Sequence, residues 1–275
     1  MKFKPYLIIL IIFFSFIRTE AQDFEVSPVK MYFSIDPGDS QTQVLSITNH
    51  ASFKTSFTIS FEDFVIDIDG TKLPIKRNSS KNSCTEWITP EKTFFDINPN
   101  EQIQINITMQ APDDDYTPRW ALMYIQTARV QTGFSADKEL QASVNLSGRI
   151  AVNIYRLPLT QSEPDIIIKQ LQEIVDAESD LRTFSATVDN KGNTITKCKV
   201  MFIASDINTG EEFEFDPIKI ETHPGFPIDV KFTLPEFLPP GQYSFYALLD
   251  IGNDNTIKGT RLKETLVILE KDNQE

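Results

Sequence analysis

The sequence predicts an all-β chain folded as two β-sandwich domains in tandem behind an export signal. Three observations predict it. Apolar residues recur at every second position, turn residues punctuate the chain about every 8 to 12 residues, and a Pro-containing polar break divides it almost in half.

The N-terminus carries the export signal. Lys2 and Lys4 form a positive head, Tyr6 to Ile17 is apolar apart from Ser15, and Thr19-Glu20-Ala21 offers a small residue for cleavage. About a dozen apolar residues suit a signal peptide, whereas a spanning helix needs roughly 20. Residues 1–21 therefore read as a signal peptide, with an uncleaved anchor as the rival reading. No cysteine follows closely enough for a lipid anchor, and no membrane insertion is expected after cleavage.

The chain counts 26 basic and 39 acidic residues; without Lys2, Lys4, Arg18 and Glu20 it counts 23 against 38, a net charge of −15. Such a surface repels nucleic acid and anionic membranes, so neither is expected as a partner. Cys84 and Cys198 lie far apart in sequence and in different predicted domains, which favours two unlinked, half-buried thiols over a disulfide. His50 and His223 have no Cys or His at ligand spacing, and no metal site is expected.

In the first half, Gln43 to Thr48, Ser56 to Phe61 and Gln102 to Ile107 alternate apolar with mostly polar residues, as half-buried strands do. Turns are predicted at Asp36-Pro37-Gly38-Asp39, Asp69-Gly70 and Asn98-Pro99-Asn100, and from Pro112 to Pro118. Leu157-Pro158-Leu159 to Pro164 marks the break. Beyond it, strands are predicted over 181–189, 198–205, 211–220, 228–234, 242–250 and 265–269. The pattern yields two immunoglobulin-like sandwiches, over 22–157 and 160–272. Ile167, Leu171, Ile174 and Val175 fit helical spacing as well as a strand; their neighbours favour the strand.

No catalytic constellation emerges: the chain has no phosphate loop, no nucleophile elbow and no His-based acid–base pair. Neither catalytic residues nor a cofactor are expected. Asp113-Asp114-Asp115 lacks the spaced ligands of a calcium loop and reads as a solvated turn, and Asp67-Ile68-Asp69-Gly70 reads as a hairpin. The informative element is the last strand of the first half. Leu140, Ala142, Val144 and Leu146 alternate with polar residues, Gly148-Arg149 interrupt, and Ile150, Val152 and Ile154 resume. About 17 residues is long against a usual five or six. Its first part reads either as an ordinary core strand or as an edge open to β-augmentation by another chain.

Taken in order, three stretches of the first half resemble the N-terminal domain of the PapD-like pilus-assembly chaperone family. They are Val26-Ser27-Pro28-Val29-Lys30-Met31-Tyr32-Phe33 with Val44 to Asn49; Trp87-Ile88-Thr89-Pro90 with Phe95 to Pro99 and Gln102 to Ile107; and the long strand ending in Ile154-Tyr155-Arg156-Leu157-Pro158. The short segment Val130 to Lys138 resembles the family's short-loop branch. Beyond residue 160 the likeness is one of order and architecture.

The resemblance implies a non-enzymatic periplasmic chaperone. Its partners would be exported, pilus-type subunits and an outer-membrane assembly protein. It makes Leu140, Ala142, Val144 and Leu146 the donated strand, and Lys30 one of two cations that hold a subunit's terminal carboxylate. Val152 stands at the second cation position, and Arg149 is the nearest substitute. Arg156 matches an arginine that ties the two domains, while Trp120 replaces its acidic partner. The alternative is a structural or adhesive envelope component with the same fold and no chaperone role.

Overall fold

The computed structural model describes residues 23–128, 148–160, 163–174, 181–235, 238–252 and 257–269. Residues 1–21, read as a signal peptide, the segment Val130 to Lys138 and the expected donor positions Leu140, Ala142, Val144 and Leu146 lie outside them. The described residues form 19 strands and no helix, arranged as two β-sandwiches.

The first sandwich holds β1 (Phe24–Ser27), β2 (Lys30–Ser34), β3 (Ser40–Asn49), β4 (Thr55–Ile66) and β5 (Lys72–Ile75). It continues through β6 (Ile88–Pro90), β7 (Phe94–Ile97), β8 (Gln102–Gln110), β9 (Arg119–Thr127) and β10 (Arg149–Leu157). One sheet runs β1-β3-β8-β6; the other runs β2-β10-β9-β4-β5, with β7 also on β4. The chain changes sheet at Pro28-Val29, so β1 and β2 edge different sheets. Alternate side chains from both, including Leu45, Ile47, Ile105 and Ile107 against Phe57, Met123, Val152 and Ile154, fill the core.

The second sandwich holds β11 (Ile166–Ile174), β12 (Thr183–Asn190), β13 (Thr196–Asp206), β14 (Glu212–Glu214) and β15 (Ile218–Thr222). Its remaining strands are β16 (Ile228–Thr233), β17 (Gly241–Asp250), β18 (Lys258–Arg261) and β19 (Leu266–Ile268). The sheet β11-β12-β16 packs on a sheet centred on β13 and β17. Phe184 meets Phe245 with ring centroids 4.6 Å apart, and Phe202 stacks on Phe232 at 4.7 Å.

The segment with helix-like spacing is strand β11, and a bulge explains the ambiguity. Three steps from Lys169 to Gln172 oppose two on β12, and Gln170 takes a φ of 57°. The extra residue shifts the inward face, so Ile166, Ile168 and Leu171 are all buried.

The two sandwiches share an apolar junction. β9 is buried on both faces: Ala121, Met123 and Ile125 enter their own core, while Trp120, Leu122 and Tyr124 face outward. With Phe64, Ile66 and Tyr155, this outer face is continuous with the core of the second sandwich. Trp120 donates its indole N–H to the Phe64 carbonyl at 3.0 Å, and its ring meets His223 at 5.0 Å and Phe226 at 5.8 Å. The Asp67–Gly70 turn docks as well, Asp229 N–H donating to the Ile68 carbonyl at 2.6 Å. Because one cluster serves both sandwiches, the wild type should unfold in a single urea transition. Trp120→Ala should cost about 3–5 kcal/mol and split that transition in two, which equilibrium denaturation will show.

Candidate functional site: a charged node between the sandwiches

A compact polar node sits beside this apolar junction. β2 presents Lys30, β5 presents Lys72 and β10 presents Asn153 and Tyr155, all from the outer face of one sheet. Parallel pairing sets Lys30 against Asn153. β15 of the second sandwich supplies Glu221, whose carboxylate lies 3.8 Å from Lys30 Nζ and 3.7 Å from Lys72 Nζ. Tyr155 donates its hydroxyl proton to Glu221 at 3.1 Å, while Lys72 donates to Asn153 Oδ1 at 3.0 Å and to the Tyr155 hydroxyl. Tyr32 stacks on Tyr155 at 5.1 Å.

The charges follow from this packing. Burial alone would raise the Glu221 carboxyl, but Lys72 and Lys30 hold it below the usual carboxylate range. Burial lowers Lys72, and Glu221 only partly offsets that. Burial also raises Tyr155, with Glu221 adding to the effect, so Tyr155 remains a proton donor. His223 is almost fully buried among Trp120, Phe64 and Tyr155, and neither ring nitrogen has a hydrogen-bond partner among the described residues. Desolvation pushes its imidazole down to about 4, against a partial pull from Glu221 and with a further push from Lys72 and Lys30.

The other residues singled out from sequence lie elsewhere. Arg149 opens β10, four positions or about 13 Å along the strand from Asn153. Its guanidinium pairs with Glu62 at 2.9 Å and lies 3.2 Å over the Tyr124 ring. Arg156 is fully buried inside the first sandwich and donates from Nη1 to the Thr117 carbonyl at 2.9 Å. Asp36 reaches the linker: its carboxylate accepts from Leu159 N–H and Thr160 N–H, each at 3.0 Å. Asp115 is committed to Thr117 and Arg119 within its loop. Cys84 and Cys198 are free and fully buried rather than half-buried, and burial raises both thiols. Sequence reasoning missed Lys72, Glu221 and His223. Lys72 could have been located as the first strand residue after the Asp-Gly turn; the other two carry no local signal.

β10 has one further property. Its residues Arg149–Arg156 all pair with β9, but β2 pairs only with Asn153–Leu157. Among the described residues, Arg149 to Val152 therefore have a ladder partner on one flank only.

Two measurements test the node. Glu221→Gln should destabilise the protein by on the order of 2 kcal/mol, since it strands two partly buried ammonium groups. Glu221→Leu combined with Lys72→Met should recover most of that loss. His223 predicts a separate pH effect. Its folded-state value lies below the ordinary 6.5, so between about pH 4 and 6.5 the unfolded state binds the extra proton. Stability contributed by neutral His223 is full above that window and is lost as pH falls through it, by on the order of 3 kcal/mol. His223→Phe should flatten the urea midpoint across this window, leaving the loss of Glu221 pairing to appear only at lower pH.

No family model matches the chain, and no curated protein matches it. Solved structures do. A chaperone–tip adhesin complex of CFA/I fimbriae biogenesis aligns with TM-score 0.48 at 11% identity, covering 88% of this chain and 98% of that one. The class 5 fimbriae chaperone CfaA aligns with TM-score 0.44 at 12% identity, over 90% of this chain and 100% of that one. The Salmonella enterica SafA pilin–SafB chaperone complex aligns with TM-score 0.42 at 13% identity, covering 89% and 99%. The chain is similar, over most of its length and at low identity, to fimbrial chaperones.

Proposed function

We propose that the chain is a non-enzymatic, periplasmic, chaperone-like assembly factor that holds exported, pilus-type subunits by β-augmentation, and that its two functional units span 22–157 and 160–272. The observation that carries this reading is the half-open edge of β10. A strand with unpaired N–H and C=O groups on one flank accepts another strand. That flank runs from Val152 back to Arg149, and in the sequence the alternating residues Leu140, Ala142, Val144 and Leu146 precede it, with Ser147-Gly148 between. Continuing in register, these side chains would fill gaps in a subunit's own sandwich.

Lys30 supports the accompanying carboxylate anchor. It is half-exposed and, among the described residues, shares its only ion-pairing carboxylate, Glu221, with Lys72. Two ammonium groups on one carboxylate leave a surplus positive charge facing the junction, and an incoming terminal carboxylate would balance it. Arg149, already engaged by Glu62, would act at the far end of the open edge. An outer-membrane assembly protein as a second partner rests on the family resemblance alone.

The strand outweighs the ion pair. Four apolar side chains, once half-buried in a subunit, would contribute about 1 kcal/mol each, whereas an exposed pair usually gives less than about 1 kcal/mol. Converting Leu140, Val144 and Leu146 together to Ser should therefore weaken subunit capture by on the order of a hundred-fold. Lys30→Ala should stay within about ten-fold. Co-purification with a co-expressed pilin-type subunit measures both. Undiminished capture by the triple-Ser variant would reject strand donation and leave the structural or adhesive envelope component as the better account.

A further inference from the structure

A cavity of about 350 Å3 opens beside Lys30, against the outer face of the second sandwich, and its charged lining is Lys30, Lys197, Lys199, Lys219, Glu221 and Asp250. The chain has 39 acidic and 26 basic residues, yet four of these six side chains are lysines. Glu221 is already shared by Lys30 and Lys72. Among the described residues, no carboxylate lies within 4 Å of the ammonium groups of Lys197, Lys199 or Lys219; that of Lys197 rests 5.8 Å from the centre of the Tyr32 ring.

Register sets these charges side by side. Lys199 sits opposite Lys219 across the β13–β15 ladder and opposite Asp250 across the β13–β17 ladder, and Lys197 sits opposite Glu221, so the face alternates in sign but keeps a surplus of lysines. An outside anion would offset that surplus. Lys197 and Lys199 alternate on one face of β13, about 7 Å apart, which is the spacing of residues i and i+2 in an extended chain.

We propose that this face binds an extended acidic peptide segment of a partner protein, side-chain carboxylates at alternate positions meeting Lys197 and Lys199, with Lys219 beside Lys199. The site requires neither strand donation nor a terminal carboxylate, so it goes beyond the function proposed above and stands if that function fails.

Fluorescence anisotropy with a labelled, amidated Glu-Ser-Glu-Ser-Glu peptide tests it on the full mature chain, the amide removing any terminal carboxylate. The expected result is saturable binding that weakens with added salt, absent for the Gln-Ser-Gln-Ser-Gln control. Lys199→Gln with Lys219→Gln, both exposed and outside the core, should lower affinity by about ten-fold or more while leaving thermal unfolding unchanged or raised. Equal binding of both peptides, or unaltered affinity in the double variant, overturns the proposal. Displacement of the peptide by an equimolar concentration of inorganic phosphate also overturns it, because it would mark a small-anion pocket instead.

Discussion

Everything at the junction depends on one constraint: the outer face of β9, β10 and the end of β4 is too apolar to stand in water. Phe64, Trp120 and Tyr155 are fully buried, with His223 of the second sandwich against all three rings and Phe226 against Trp120. Burial of aromatic surface on this scale fixes the two sandwiches against each other far more firmly than their few polar links could. The charged node is a consequence. Once Trp120 and Tyr155 are covered, β15 must lie over β2 and β5, and Glu221 has to arrive between Lys30 and Lys72. The carboxylate then acts as an orienting pin whose own desolvation consumes most of its Coulombic gain.

That order of dependence explains what the sequence disclosed. Strict alternation in 43–48, 56–61 and 102–107 identified β3, β4 and β8, because each has one wet face. Where both faces are dry the signal changes: Trp120 to Ile125 reads as a continuous apolar run and gives no hint which face is which. Trp120, taken from the resemblance as a lost acidic partner, is the centre of the junction. The bulge at Lys169–Gln172 disguised β11, since an inserted residue converts a period of two into something near a helical repeat. Glu221 and His223 were illegible for another reason. Their roles come from groups 66 or more positions away, brought close by the covered aromatic face.

The two arginines separate along similar lines. Arg149 can satisfy its charge at the surface, with Glu62 beside it and Tyr124 beneath it, and so stays near the open end of β10. Arg156 points the other way and is sealed in, with Nε and Nη2 lacking partners among the described residues. Burial lowers it, and Asp115 and Asp36 only partly compensate. Asp36 therefore has two tasks, opposing a buried cation and holding the backbone of Leu159 and Thr160. The exit of the chain from the first sandwich is thereby tied to a charge inside it.

Edge and cleft are linked through β10. Its C-terminal half is paired on both flanks and carries Tyr155 into the junction; its N-terminal half is paired on one flank and carries Arg149 outward. A partner strand laid along Arg149 to Val152 would meet the end of β2 at Val29 and Lys30, where the ladder is already occupied. It could not continue in register, and its next residues would have to leave the sheet. The side on which Lys30 stands is also the side on which the cavity opens, so a chain leaving the edge there would enter a field set by four lysines and two carboxylates. In a chain with 39 acidic and 26 basic residues, an acidic segment would gain by arriving there, and a basic one would not.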